Sequence, residues 1–551
     1  MSNCEQMALV DYEDVVGAVG RPQSEQELAG VAWAIAREGV LAGLTVPEAR
    51  IADAAREVSD HEVTDLTSLI RQGGDPLGEA FLRIRSPRQR RPLGAVYTPP
   101  PIVDAMVEWI AASEHPVRVV DPGAGSGRFL LKAGQVLANS ELVGVELDPL
   151  AALVCRANLT ATGFDHRARI VVDDYRRADL RECGGITAFV GNPPYVRHHQ
   201  IESEWKEWLI SNASARGFQV SALAGLHIHF FLATLMSART GDIGAFITSA
   251  EWMDVNYGRL LRGMLTDGLG GESVQVLVPE AMPFENAATT ASVICFRVGS
   301  EASSVRMRRV KNVEQLADLN KGRRVAKKRL QAEKRWSTLL SAGQSKPEGY
   351  IELGDLCRVH RGAVTGANAI WITRANDPAL PDKTLFPSIT KARELFDAAD
   401  GVLATFDGLR VVIDLPADLE ALDEEDQALV QQFLHLAERN GACSSYIARH
   451  RNPWWSVGLR SPAPILATYM ARRPPAFVRN LVGARHVNVA HGIYPREPLS
   501  DDALDALAES LKVGVSVAQG RTYAGGLTKF EPSEMERIPV PNLELLAEMA
   551  L

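Results

Sequence analysis

Apolar positions recur at helical spacing through residues 1 to about 85, as in LAGVAWAIAREGVLAGL and VTDLTSLIRQ, with breaks at Gly73-Gly74 and Pro87. The pattern predicts a helical N-terminal segment over 1–90. From about Val117 to Val298 it changes to short β-branched runs alternating with helical stretches, which predicts an α/β region with a parallel sheet covered by helices. The candidate strands are Val117–Asp121, Leu142–Leu147, Arg169–Asp174, Ile186–Gly191, Ile243–Ser249, Val274–Pro279 and Ala291–Val298. Between the fourth and fifth, LHIHFFLATLMSAR is apolar almost all round, as a buried helix is. A basic stretch over 301–348 reads as a linker or a helix. The remainder, 349–551, has mixed patterning whose fold periodicity does not name. The expected divisions are therefore 1–90, 91–300, 301–348 and 349–551.

At 551 residues two or three domains are expected. The composition is that of a soluble globular protein, no apolar run approaches a membrane span, and the N-terminus lacks a signal or transit pattern, so a cytoplasmic location with no membrane partner is expected. Six scattered cysteines without a CxxC pair imply free thiols and no structural metal, and His198, His199, His227 and His229 are expected to pack in loops and helices rather than bind metal. Net charge is −9, which argues against a surface coated with phosphate-binding groups, yet basic residues bunch in RIRSPRQRRP and between Arg306 and Arg335. Read alone, such runs are solvated faces or linkers.

The segment VVDPGAGSGRFLL (Val119–Leu131) sets a strand, three glycines and a helix start in succession, so the backbone can turn tightly against a ligand. Asp121, Pro122, Gly123, Gly125 and Gly127 are the candidates for that cradle. Glu146 ends the next strand, where a carboxylate can accept from both hydroxyls of a ribose, and Asp173 or Asp174 ends the third, where one can accept from an adenine amine. The loop is not GxxxxGK[ST], which argues against a triphosphate and for a nucleoside with little phosphate. A methyl sulfonium donor fits this description.

GNPPY (Gly191–Tyr195) follows the fourth strand. An exocyclic amine of a nucleobase is a poor nucleophile because its lone pair is delocalised into the ring, so catalysis requires acceptors for its hydrogens. The Asn192 side-chain oxygen and the Pro193 carbonyl are two such acceptors, while Pro193 and Pro194 offer no N–H and hold φ fixed. Tyr195 is placed to stack on a base flipped out of the duplex, a contact worth about 1–3 kcal/mol.

With DPGAGSG and GNPPY in this order, the sequence resembles the gamma-ordered, TaqI-like N6-adenine DNA methyltransferases of restriction–modification systems, closely over Arg91 to Val298 and loosely elsewhere. The resemblance implies a Rossmann-like class I fold dependent on S-adenosylmethionine, with helices on both faces of the sheet and a C-terminal target-recognition domain. It implies that Tyr97, Thr98 and Pro99 hold the methionine moiety, that Glu146 binds ribose, and that Asp174 and Tyr175, with Asp173 competing, receive the cofactor adenine. Phe284, in PFENAATTASVICF, matches the aromatic that packs on the flipped base, and GAVTGANAIWI and GGLTKFEPSEMERIPVP resemble parts of the recognition region. Arg449, Arg472, Arg473 and Arg485 are candidate DNA contacts, from basic and aromatic clusters that suit base edges and phosphates.

The expected function is site-specific methylation of adenine N6 in double-stranded DNA, protecting host DNA alongside a possible cognate restriction endonuclease. The rivals are an N4-cytosine DNA methyltransferase, since the same acceptors serve either amine, a glutamine-amide methyltransferase, which is normally a short protein, and a catalytically silent DNA-binding subunit. No PDx…ExK or HNH nuclease pattern stands out.

Overall fold

The computed structural model describes residues 22–40, 43–86, 89, 98–278, 290–340, 347–374, 380–471, 473–515, 520–523 and 527–549, and its chain divides into two units, 1–342 and 343–551. The first unit opens with four helices, α1 (Glu25–Ala36), α2 (Val46–Asp53), α3 (Asp60–Arg71) and α4 (Pro76–Ile84), each started by a side chain that accepts a backbone N–H: Ser24, Thr45, Ser59 and Asp75. A nine-stranded sheet follows. Its strands are β1 (Arg118–Asp121), β2 (Glu141–Glu146), β3 (Ala168–Val172), β4 (Thr187–Gly191), β5 (Ile243–Ser249), β6 (Gly271–Leu277), β7 (Ala291–Arg297), β8 (Ser304–Val310) and β9 (Arg323–Ala326), in the order β3-β2-β1-β4-β5-β7-β6-β8-β9. The helices around it include α5 (Pro100–Ser113), α6 (Arg128–Val136), α7 (Pro149–Ala161), α8 (Ser203–Ser214) and α9 (Leu226–Ser237).

All seven strands expected from the sequence occur, displaced by a few residues at their ends. The first five are parallel as expected. β7 is antiparallel to both its neighbours, because the chain leaving β6 folds back as a hairpin into the place beside β5. Alternate residues feed opposite cores. Val119, Ala188 and Val190 pack with α5 and α6 on one face, whereas Val120 and Phe189 pack with Ile228 and Phe231 of α9 on the other.

The stretch 301–348, expected as a linker or a helix, instead contributes two strands to this sheet. β8 runs parallel to β6, and β9 pairs antiparallel at the edge. Val305 and Met307 are buried on one face, while Arg308 turns the other way, donating to Gln275 Oε1 at 2.7 Å and to the Gln315 and Asp318 carbonyls. Arginines on the second face of a one-sided strand mask its period-two signal.

The N-terminal helices are built onto α7, whose Leu150, Ala151, Leu153, Val154 and Ala157 join the core of α1, α3 and α4. Arg156 of α7 also donates to Glu48 of α2 at 2.7 Å, both side chains being buried. α7 is thus covered on its sheet side and on its outer side.

In the second unit a five-stranded sheet and a four-stranded sheet carry separate apolar clusters, packed with helices Glu424–Arg439 and Asp501–Gly514. Most of its strands are short and their pairing is mixed, which is why periodicity alone does not name this fold. Among the described residues no helix is long and apolar enough to cross a membrane.

Candidate donor and target-base site

At the carboxyl ends of β1, β2, β3 and β4 a cleft opens beside the glycine loop, the position where parallel α/β sheets bind ligands. The loop turns through positive φ at Gly125 (54°) and Gly127 (91°), a region that only glycine enters readily. A Cβ on Gly127 would lie 2.8 Å from Cys155 Sγ of α7, so loop and helix pack in direct contact. The GNPPY turn approaches as closely, since a Cβ on Gly191 would lie 2.7 Å from Asp121 Oδ1. Two segments far apart in sequence are thereby set edge to edge.

Asn192 sits where they meet. Its Nδ2 donates to Thr98 Oγ1 at 3.1 Å, which orients the amide and ties the start of α5 to the NPPY turn. Thr98, Pro122, Gly123, Gly125, Glu146, Asp173, Asp174, Tyr175, Asn192 and Pro194 all border the cleft. Pro99, Asp121, Gly127, Pro193 and Tyr195 are not among its lining residues. Tyr97 and Phe284 lie outside the described residues.

Each carboxylate around the cleft has its own anchoring. Glu146 accepts Gly125 N–H at 2.8 Å on one oxygen and Asp148 N–H at 2.9 Å on the other; burial pushes its carboxyl up, and these two bonds oppose the shift. Asp121 has no exposed surface, and burial pushes it up to about 8 against the one Gly123 N–H it accepts. Asp174 is partly buried, which works upward, but the Arg176 guanidinium, with contacts of 2.9 and 2.5 Å, holds it below the usual carboxylate range. Asp173 accepts Arg177 Nε at 2.7 Å. The Tyr175 ring is buried against Phe230 at 5.2 Å, and its hydroxyl lies 2.9 Å from Thr234 Oγ1.

Several neighbours of the cleft carry no motif. Phe81 of α4 forms part of its wall, as do Arg128, Asp148, Leu226 and Phe230. Asp75, the N-cap of α4, accepts Ser126 Oγ at 2.6 Å and Arg128 Nε at 2.7 Å, so an N-terminal helix start braces the glycine loop. The Arg176 guanidinium lies 3.7 Å from the ring centroid of Trp205 in α8. Only Arg128 had a sequence signal, its place directly after the loop.

The lining supports a nucleoside donor that carries positive charge. Asp148, Asp173 and Asp174 in the lining pair with Arg85, Arg177 and Arg176, Arg128 pairs with Asp75, and Glu146 has no ion pair among the described residues, a balance that leaves no surplus of cations for a polyphosphate and suits a sulfonium. Buried Asp121 Oδ2 has no hydrogen-bond partner among the described residues, which leaves an unsatisfied polar oxygen beneath the loop.

Tyr195 lies with its ring centroid 6.4 Å from that of His227. His227 and His229 are buried in α9, and burial pushes them down to about 4 and about 3. His198 and His199 sit in a single 3-10 turn with ring centroids 5.5 Å apart. Among the described residues no group of His, Cys, Asp or Glu is arranged to hold a metal. In the second unit Arg449 is exposed at the end of a short helix, and exposed Arg473 lies 3.6 Å over the Phe396 ring. Arg485 is half-buried, 3.9 Å over Phe386, and donates to the Leu459 carbonyl at 3.1 Å. Arg472 lies outside the described residues.

Residues 75–249 match the N-6 DNA Methylase family, and residues 337–551 match the C-terminal domain of Type II methyltransferase M.Eco57I. The chain is 53% identical to Type II methyltransferase M.XamI of Xanthomonas campestris pv. amaranthicola, over 86% of this chain and 88% of that one. It is 22% identical to Type II methyltransferase M.AccI of Acinetobacter calcoaceticus, over 83% and 87% of the two. Its fold is like that of the Type IIL restriction-modification enzyme MmeI solved in complex with DNA, with a TM-score of 0.55 and 13% identity over 94% of this chain and 80% of that one. On these similarities, the chain belongs to the Type II DNA methyltransferases of restriction–modification systems, in their N-6 DNA methylase branch.

Proposed function

We propose that this chain transfers the methyl group of S-adenosylmethionine to N6 of an adenine flipped out of double-stranded DNA at a short recognition sequence. Residues 91–300 carry the transfer, 349–551 read the sequence, and the methylated site is protected from a cognate endonuclease in the cytoplasm. One observation carries the reading: the GNPPY turn is packed against the glycine loop and tied to Thr98, so the acceptor-bearing Asn192 borders the cleft suited to a cationic nucleoside.

When bound, S-adenosylmethionine supplies an electrophilic methyl carbon. Glu146 would accept from the ribose hydroxyls and Asp173 or Asp174 from the adenine amine, with Tyr175 shaping the adenine end. Thr98 and Pro99, with Tyr97, would hold the methionine end. The Asn192 Oδ1 and the Pro193 carbonyl would accept the two hydrogens of the target amine, drawing its lone pair out of the ring and letting nitrogen become tetrahedral. Pro193 and Pro194 keep that turn stiff, so little reorganisation opposes the transfer. Tyr195 and Phe284 would stack on the extruded base. Arg449, Arg472, Arg473 and Arg485 would contact DNA.

Incubation with labelled donor and a duplex library, followed by digestion to nucleosides and mass analysis, tests this. N6-methyladenine is expected, and Asn192→Ala should lower incorporation by about a hundredfold or more while donor binding persists. N4-methylcytosine as the product, or full-speed transfer by Asn192→Ala, would refute the reading.

A further inference from the structure

Two arginines border the cleft among the described residues, and they differ in what they serve. Arg176 stands at the end formed by Asp173, Asp174 and Tyr175, with its guanidinium bound twice to Asp174 and covered by Trp205. Arg128 stands beside Thr98, the residue that Asn192 meets. It is the first residue of α6, directly after Gly127, and its Nη1 donates to the Thr98 carbonyl at 3.3 Å while Nε donates to Asp75 Oδ2 at 2.7 Å. Asp75 is itself fixed by Ser126 Oγ at 2.6 Å, Asn158 Nδ2 at 3.1 Å and Gly78 N–H at 3.0 Å. The Arg128 side chain is 22% exposed, enough to meet a ligand and little enough for a charge pair there to be weakly screened.

We infer that Arg128 binds the carboxylate at the amino-acid end of the methyl donor, and that Asp75 is the positioning residue that holds it there. The inference rests on the donor reading above and deepens it. A sulfonium donor brings one anionic group into a cleft bordered by four carboxylates, and that group requires a cation at the end away from the adenine. Among the described residues Arg128 is the cation bonded to Thr98, and the amino end of α6 adds the positive pole of a helix to it. The helical segment before the sheet thereby reaches the cofactor through one ion pair, Asp75 to Arg128.

Equilibrium binding of S-adenosylmethionine and of its decarboxylated analogue to the full-length protein tests this, because the analogue lacks only the carboxylate. Arg128→Ala should weaken S-adenosylmethionine by about 10- to 100-fold and the analogue by less than about twofold, the range for losing a charged hydrogen-bond pair. Arg128→Lys should recover part of the loss, and Asp75→Asn should narrow the preference for the carboxylated ligand. Equal weakening of both ligands by Arg128→Ala and Arg128→Gln, or weakening of neither, would overturn the assignment while leaving the donor reading in place. Parent protein that binds neither ligand would overturn the donor reading and this inference together.

Discussion

Asp121 closes β1 with no exposed surface, one oxygen accepting Gly123 N–H and the other without a hydrogen-bond partner among the described residues. Burial raises its carboxyl from an ordinary 3.8 to about 8, so the folded protein keeps a proton there that the unfolded chain releases. This burial therefore costs nothing below about pH 4 and progressively more as pH rises toward 8. Asp121→Asn should melt close to the parent at low pH and increasingly above it as pH rises to about 8, in thermal unfolding without ligand. A constant difference across that range would show that Asp121 is ionised in the fold. At this scale the sequence was informative wherever the chemistry needs a short, contiguous set of atoms. Asn192 with its two prolines, the glycines of the loop, and Glu146 at a strand end were all legible in this way. Phe81 and Asp75 were not, because nothing in their own neighbourhood distinguishes a cleft residue from a helix residue.

Between elements, the buried pair of Glu48 in α2 and Arg156 in α7 joins the N-terminal helices to the sheet layer. Glu48 also accepts Thr45 N–H, completing the capping box of α2. Glu48→Ala would strand a guanidinium that has almost no contact with solvent, and should destabilise the first unit by about 3–5 kcal/mol in denaturant unfolding. Replacing both partners by apolar residues, Glu48→Leu with Arg156→Met, should restore most of that, since no buried charge is then left alone. If the single and double variants unfold alike, the pair contributes through the cap and not through its charge. The elements themselves were readable where the apolar runs are covered on both faces, as in β1, β4 and β5. β8 was not readable, because its arginines look, in sequence, like a charged linker, whereas in the fold Arg308 turns back onto the Gln315 and Asp318 carbonyls.

Across the whole molecule, four buried histidines set the response to acid. His227 and His229 lie in the first unit and His486 and His491 in the second, and burial pushes them down to about 4, 3, 4 and 4 from 6.5. Each is neutral in the fold, so its contribution is complete above pH 6.5 and is lost as pH falls toward the lowered value. At pH 5 each removes about 2 kcal/mol relative to neutral pH. In the first unit the raised carboxyl of Asp121 works in the opposite sense to His227 and His229. Hydrogen exchange should therefore show the second unit losing protection first between pH 7 and 5. Equal loss in both units, or none, would contradict these burial effects.

Sequence alone determined the candidate site and the scaffold that repeats: a glycine loop, an acceptor-rich proline turn, strand-end carboxylates, and a parallel sheet whose alternating and continuous apolar runs record burial locally. These features live within a few consecutive residues, or in a period, and need no knowledge of distant contacts. Tertiary structure alone decided that the N-terminal helices brace the glycine loop through Asp75, that the basic stretch extends the sheet, and that Arg128 and Arg176 border one cleft. Those relations depend on which remote segments meet, and the pairing of surfaces far apart in the chain leaves no periodic trace in it.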